Sequence, residues 1–567
     1  MCFLFLFLSC FIFSSEKELI ERIEGHIFLE DYNSAILEAK KAIEIFDDSK
    51  DIKKIYIRSL ALAGFEKEAI LFLKKNFSNQ YEKDILEDIA WSILRKGFLS
   101  SQNSVRLSSL IGAFFADDIR SVEMLKNSIN DRNAILRAIS VKLSSYYGDD
   151  VLKNKISSLL EKEKTWFVRL EILKSVGEMK IKEREKYLKE FLKGDITFEE
   201  RILAIKSLIE MHDSVDPIEI KKLLNSKYSN FRILGCEIAS HFKIEDVKDE
   251  ILLLTSDPIS DVRLSALNSI ALFYFDKIDR EKIQDILKKR YNDTNPYVAI
   301  TASWVALIVD PIQGKKNLKN WIFDKYLENR IFASSAIAQS GSYGLELAKE
   351  LVKKTEDSYV KVNLALGILG QREEVKYCLD VLFSFLKNKS EMWMWSSEKN
   401  PLFRAILPST ITYIDQFPNY PEAIDQSVQL ELISLLSILK DERAKDAIKR
   451  FLKEKRWGIS GFAAAVLIKE GDDESLKLVK ELLNDKEVDV RVQAALALAF
   501  IGKEEDVYSI LEEAYYRADY YLKLVILEAI GKIKNKNSIS FLLKTLEEPF
   551  FIIKTAAASS LLQIIKN

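Results

Sequence analysis

The stretch DKEVDVRVQAALALAFIG (485–502) decides the fold. An acidic turn leads into Val490-Arg491, then a run rich in alanine and leucine, then a glycine. Just upstream, ESLKLVKELLN (474–484) sets Leu476, Val479, Leu482 and Leu483 at helical spacing. The two stretches predict a helix pair, with 485–489 as the turn, 490–501 as the second helix and Gly502 suited to its C-terminal stop. A pair this short cannot bury its own apolar face, but a stack of such pairs can.

The pattern recurs. With Arg491 as an anchor, comparable apolar runs follow Arg106, Arg137, Arg169, Arg201, Arg232, Arg263, Ala299, Arg330, Lys361, Gln429, Ser460, Lys523 and Lys554. Successive anchors lie 31 or 32 residues apart, except for one interval of 36 and one of 68. Three positions after the anchor the residue is usually small, as at Ser109, Ser140, Ala204, Gly235, Ala266, Ala302, Ala333, Ala463, Ala494 and Ala557. Small side chains there allow close helix packing. Such a register predicts helix pairs stacked in sequence order, each touching mainly its neighbours.

These residues resemble the HEAT repeat family, in particular the short, roughly 31-residue VRxxAAxALG type known from phycobilisome lyases and their relatives. The resemblance covers about 100–567 and is clearest at 485–502 and at DPISDVRLSALNSI (257–270). It implies an all-α, right-handed α-solenoid of fourteen or fifteen pairs, usually a scaffold. Bilin lyase is the enzyme class the repeat type suggests, although most members have no such activity.

Residues 17–80 read as longer-period helix pairs. Ala35 and Ala39 in 33–46 correspond to Ala69 and Leu73 in 66–77, an offset of 34 residues. With Gly25, Phe28 and Ala42 as further packing positions, this segment resembles tetratricopeptide repeats and implies a cap of that kind. Asp47-Asp48 stands where that family usually has proline.

The first residues are different again. MCFLFLFLSCFIFSS is uncharged and meets Glu16 abruptly. Its apolar run, 2–13, is shorter than the roughly 20 residues a spanning helix needs, and it suits the core of a secretion signal. Phe7-Leu8-Ser9-Cys10 resembles a bacterial lipoprotein signal box, which implies lipidation of Cys10, a membrane anchor and a place in the bacterial cell envelope. Phe7 replaces the usual leucine and no Lys or Arg precedes the run. The alternatives are plain export, or a cytoplasmic adaptor with an apolar tail. The expected organisation is 1–15 signal-like, 16–98 tetratricopeptide-like, 99–384 HEAT-like, 385–428 an irregular insertion and 429–567 HEAT-like.

Composition narrows the function. Lys plus Arg is 84 against Asp plus Glu 86, a balance that speaks against a dedicated nucleic-acid binder. Cys236 and Cys378 are expected reduced and apart, and no cysteine or histidine (His26, His212, His241) stands at metal-ligand spacing. No phosphate loop, HExxH, GxSxG or CxxC occurs. The chain is therefore expected to be non-enzymatic, without cofactor or metal, and to bind other proteins.

Two sets of residues stand out. Asp131, Asp195, Asp257 and Asp485 each precede an anchor by six residues. An acid there can cap the second helix, and Arg137, Arg169, Arg201, Arg232, Arg263 and Arg491 can pair with it or with the next unit's acid to form a structural ladder. The second set is a candidate partner surface. Five positions after the anchor, a site expected on the inner face, stand Lys142, Lys174 and Lys206, then Glu237, Asn268 and Trp304. Further along, EMWMWSSEKNPLFRAILPSTITYIDQFPNYPE (391–422) breaks the register with Trp393, Trp395 and four prolines. Proline inside a helix costs roughly 3 kcal/mol, so a loop or distortion is expected there. The two tryptophans either bind a partner or fill a packing defect.

Overall fold

The computed structural model describes residues 15–77, 81–274, 278–387, 391–410, 420–453, 473–501 and 507–566. Over these the chain is α-helical, in stacked pairs, apart from one two-stranded sheet. It forms two compact units. One joins the two ends of the chain, Met1–Ser128 and Asp485–Asn567; the other is Ile129–Asn484.

The repeat register is visible helix by helix. Second helices start at Asn103, Ala134, Trp166, Phe198, Ser229, Ser260, Pro296, Leu327, Ser358, Val488, Tyr520 and Phe551, and in every one the anchor is the fourth residue. Gln429 instead lies deep inside the longer Tyr420–Ile438 helix, and Ser460 lies outside the described residues. The 36-residue interval falls where the Ser260–Ser269 helix continues as a π-helical turn, Ile270–Tyr274. Side chains or backbone at the turns fix where the helices begin: Asn133, Thr197, Asn295, Asp357 and Asp519 accept from free first-turn N–H groups.

Inside the Ile129–Asn484 unit, successive second helices pack on one another. The small positions three after the anchor lie in these contacts, with Ser140, Ala204, Ala266, Ala302 and Ala333 fully buried. Gly235 shows why size matters. A Cβ there would stand 2.9 Å from a Leu224 side-chain carbon and 3.1 Å from the Leu224 nitrogen. Gly502 lies outside the described residues, and other second helices stop without glycine. Asp117, Lys180, Lys243, Arg372, Lys440 and Lys534 take left-handed backbone (φ 49–58°) at the ends of second helices. Long charged side chains reach solvent from there, at the steric cost of a Cβ in that region.

The other unit begins with the helices Glu16–Phe28, Tyr32–Ile45, Lys50–Leu62 and Glu66–Phe77. Ala35, Ala39, Ala42, Ala69 and Leu73 are all fully buried between them. Gly25 and Phe28 correct the sequence reading. A side chain at Gly25 would meet open space, and Phe28 is 86% exposed. The packing face of the first helix is instead Leu19 and Ile23, four residues apart.

Stacking by neighbours alone does not account for this unit. The last helix, Phe551–Ile565, packs on Tyr520–Ile533 and equally on Lys83–Phe98 and Asn103–Phe115. Ser559 donates to the Gly112 carbonyl at 3.0 Å, 447 positions away, and Ser108 and Thr555 share a hydrogen bond of 2.6 Å. Lys566 closes on Asp117, and Lys74 pairs with Glu547. The helix can do this because it is apolar or small nearly all round, burying Thr555, Ala558, Ser559 and Leu562 alongside Ile553, Ala557, Leu561 and Ile564.

Candidate partner-binding face

The anchors come first, because they set the orientation of each second helix. Arg137, Arg232, Arg263, Arg330 and Arg491 each donate from Nη1 to the backbone carbonyl six residues back, at 2.8–3.0 Å. The rest of the guanidinium reaches forward. Arg137 pairs with Glu163, Arg169 with Glu200, Arg232 with Asp257, Arg263 with Asp293 and Arg330 with Asp357. Of the two partners open at the sequence level, the side-chain contact goes to the next unit's acid. Arg201 reaches further, to Asp261 two units on. The acceptors are capping groups themselves. Glu163 accepts from Thr165 N–H, Asp257 from Ile259, Asp293 from Asn295 and Asp357 from Tyr359. Burial alone would raise the Glu163 carboxyl, but hydrogen bonds from Arg137 and Thr165 outweigh it and hold the group down at about 2.

With the helices so aligned, positions two and five after the anchor form a row. At its start are Lys142, Lys174 and Lys206, which stand on consecutive, mutually packed helices. Lys174 lies 3.6 Å from Glu178 and Lys206 3.6 Å from Glu210, each one turn on, so the lysine charge is partly compensated locally. The row then changes character. Glu237 is half-buried near Arg201, and burial pushes its carboxyl up to about 7. Asn268 is buried.

The insertion covers what comes next. Strands β1 (Trp393–Ser396) and β2 (Ala405–Pro408) pair antiparallel, Trp393 opposite Pro408 and Trp395 opposite Ile406. The hairpin is tied to the following helix by the Trp393 N–H, which donates to Asp425 Oδ1 at 2.9 Å. From Asn400 the chain then crosses four second helices. Asn400, fully buried, exchanges amide hydrogen bonds of 3.0 Å with Asn268 and donates to Thr301 at 3.2 Å. Phe403 sits edge-on against Trp304 (4.9 Å) and Phe332 (5.2 Å). Ile406 gives its N–H to Asn363 Oδ1 (2.8 Å) and accepts from Asn363 Nδ2 (2.9 Å) at its carbonyl.

This bears on the alternatives left open for the tryptophans. Trp393 is 2% exposed and stacks on Phe385 at 4.2 Å, so it is core and not partner surface. Trp304 is covered by Phe403. Trp395 is half-buried, with the Arg404 guanidinium 4.0 Å over its ring. It lines a cavity of about 500 Å³ together with Gln339, Gly367, Arg404 and Glu431. Sequence reasoning placed Asn268 on the inner face without giving it a role, and passed over Asn363 and Phe403.

Cys10 lies outside the described residues. Among the described residues no group of three His, Cys, Asp or Glu is placed to hold a metal ion, and no helix is long and apolar enough to cross a membrane. Cys236 and Cys378 are free and buried.

Neither a family model nor a curated protein sequence matches the chain. Among solved structures it is similar to the karyopherin Kap121p bound to the SUMO protease Ulp1p, with 12% identity, a TM-score of 0.31 and coverage of 96% of this chain and 85% of that one. It is similar also to UNC-45 from Drosophila melanogaster, with 12% identity, a TM-score of 0.30 and coverage of 96% and 84%. The chain is an all-helical repeat protein, and that statement rests on its own helix contacts.

Proposed function

We propose that this chain is a non-enzymatic scaffold that holds other proteins along the second-helix face of the Ile129–Asn484 unit. One observation carries the reading: that face already holds a segment of polypeptide, the turn at Asn400 and the start of β2 at Ile406, by backbone and side-chain contacts. A surface that binds a chain segment in this way needs no reacting group, only donors, acceptors and apolar pockets at fixed intervals. The exposed stretch around Lys142, Lys174 and Lys206 is the part of the same row left for a partner, and it favours acidic segments. Capture of crosslinked partners from native cells tests the role. Changing the three lysines to glutamate should lower partner yield by about tenfold, with the helical signal unchanged.

The signal-like start supports a second element of the proposal: export, lipidation of Cys10 and attachment to the bacterial cell envelope. A single acyl chain holds a protein only weakly, whereas a diacylglycerol anchors it stably. Cys10→Ser should therefore move the protein from the membrane to the soluble fraction. An intact Met1 on the mature chain would rule the anchor out and leave the cytoplasmic adaptor.

A further inference from the structure

Phe383 gathers more positive charge than one ring can hold. The Lys387 ammonium stands 4.6 Å from the ring centroid, the Arg443 guanidinium 4.6 Å and the Arg450 guanidinium 5.3 Å. No two of the three are therefore more than about 10 Å apart, a distance over which salt does not fully screen like charges. An aromatic ring offers two faces to cations, so a third adds repulsion without a face of its own. The sequence accounts for the crowding. Lys387 follows Phe383 by four residues on the helix Val375–Lys387 and shares its side. On the helix Ala444–Lys453, Asp446, Lys449, Arg450 and Lys453 stand at i, i+3, i+4 and i+7, again one side. Both are first helices of their pairs, and both pack on Tyr420–Ile438.

Phe383, Lys387, Asp446, Lys449, Arg450 and Lys453 line a pocket of about 320 Å³, four cations against one carboxylate. The third cation over the ring, Arg443, has its charge met by Asp441 and Asp380, each at 2.7 Å. Lys387 and Arg450 differ. Among the described residues neither lies within ion-pair distance of a carboxylate, and Arg450 donates to the Asp446 backbone carbonyl at 3.4 Å. We infer that this pocket binds a phosphate group, inorganic or carried as a monoester, between Lys387 and Arg450. A phosphate dianion matches those two charges, and its oxygens can take the planar guanidinium fork and the ammonium together. A carboxylate brings one charge and two oxygens. The pocket's volume, at the small end of ligand sites, leaves room beside Phe383 for the carbon skeleton of an ester. The site uses no residue of the second-helix row, so it stands or falls apart from the scaffold reading.

Phosphorus NMR of inorganic phosphate, titrated with the full chain, reads binding as line broadening. The native chain should broaden the line, and an equal concentration of acetate should not reverse it. Lys387→Gln/Arg450→Gln should weaken binding by about tenfold or more, since both charges that the dianion meets are gone. Both side chains are exposed, so the helical signal should be unchanged. Lys142→Gln/Lys174→Gln removes the same net charge elsewhere and should leave binding within about twofold, because distant charges are screened. If the first variant loses helical signal, Lys387→Gln alone serves, with a smaller loss expected. A peptide with a central phosphoserine separates the sources. Binding about tenfold tighter than inorganic phosphate assigns the site to phosphorylated protein segments, and equal binding assigns it to free phosphate and small esters. No broadening by the native chain, equal losses in the two double variants, or full displacement by acetate overturns the inference. Partner capture dependent on the row lysines would survive that failure.

Discussion

Arg263 and Asp293 form a bidentate pair across 30 positions, with hydrogen bonds of 2.9 and 2.5 Å and side chains 9% and 2% exposed. Asp293 also accepts from Asn295 N–H, so one carboxylate starts a helix and receives the previous unit's arginine. Removing Asp293 strands the Arg263 guanidinium in a buried site and takes a partner from the more exposed Arg290. Asp293→Ala should therefore destabilise the chain by about 3 kcal/mol. An Arg263→Met/Asp293→Leu pair should lose less, since only the more exposed Arg290 then loses a partner. Urea unfolding of the three proteins checks this, and equal losses would remove the coupling.

Stability should respond to pH in two opposite ways. Glu163 is held at about 2, below its ordinary 4.5, so its contribution is present above 4.5 and fades as pH falls towards 2. Glu237 is raised from 4.5 to about 7, so its favourable neutral form is fully present below 4.5 and is lost as pH rises through 7. Glu237→Gln should gain on the order of 1 kcal/mol over the native chain above pH 7 and nothing below 4.5. Glu163→Gln should lose stability at neutral pH, the difference closing towards pH 2. Denaturant midpoints across pH measure both, and parallel curves for either variant would count against the assignment.

The left-handed stops make a simpler forecast. Lys180 and Lys243 adopt φ of 50° and 55°. Glycine takes that conformation without the penalty of a Cβ. Lys180→Gly and Lys243→Gly should each raise stability by a few tenths to about 1 kcal/mol, read as a rise in melting temperature. A fall would mean that the lysine side chains contribute more than their backbone strain costs.

The seam between the chain's ends should be sensitive to single atoms. A Cβ at Gly97 would fall 2.2 Å from Ser109 Oγ and 2.9 Å from the Phe551 ring. Gly97→Val should push the Phe551–Ile565 helix away and raise amide exchange there by tenfold or more, with little change in the helices of 134–370. Unchanged exchange at 551–565 would show that the seam yields elsewhere.

The buried thiols should be inert. Burial pushes Cys378 up to about 12 and Cys236 higher still. Maleimide labelling of both should require unfolding, and rapid labelling of the native chain would contradict their burial.

Sequence alone determined the repeat. The 31-residue register, the anchor and the small residue three positions later are local requirements of a helix pair that must stack, so they recur wherever a pair recurs. The burial of Ala35, Ala39 and Ala69 was legible for the same reason. Only tertiary structure decided which acid each arginine meets, because acids both before and after the anchor lie within reach. It also decided that Asn400 lands on Asn268, 132 positions away, and Ser559 on Gly112, 447 positions away. No periodicity encodes those meetings. They follow from buried amides that must find partners and from a last helix apolar on nearly every side, and both requirements are met only by surfaces that exist once the repeats have stacked.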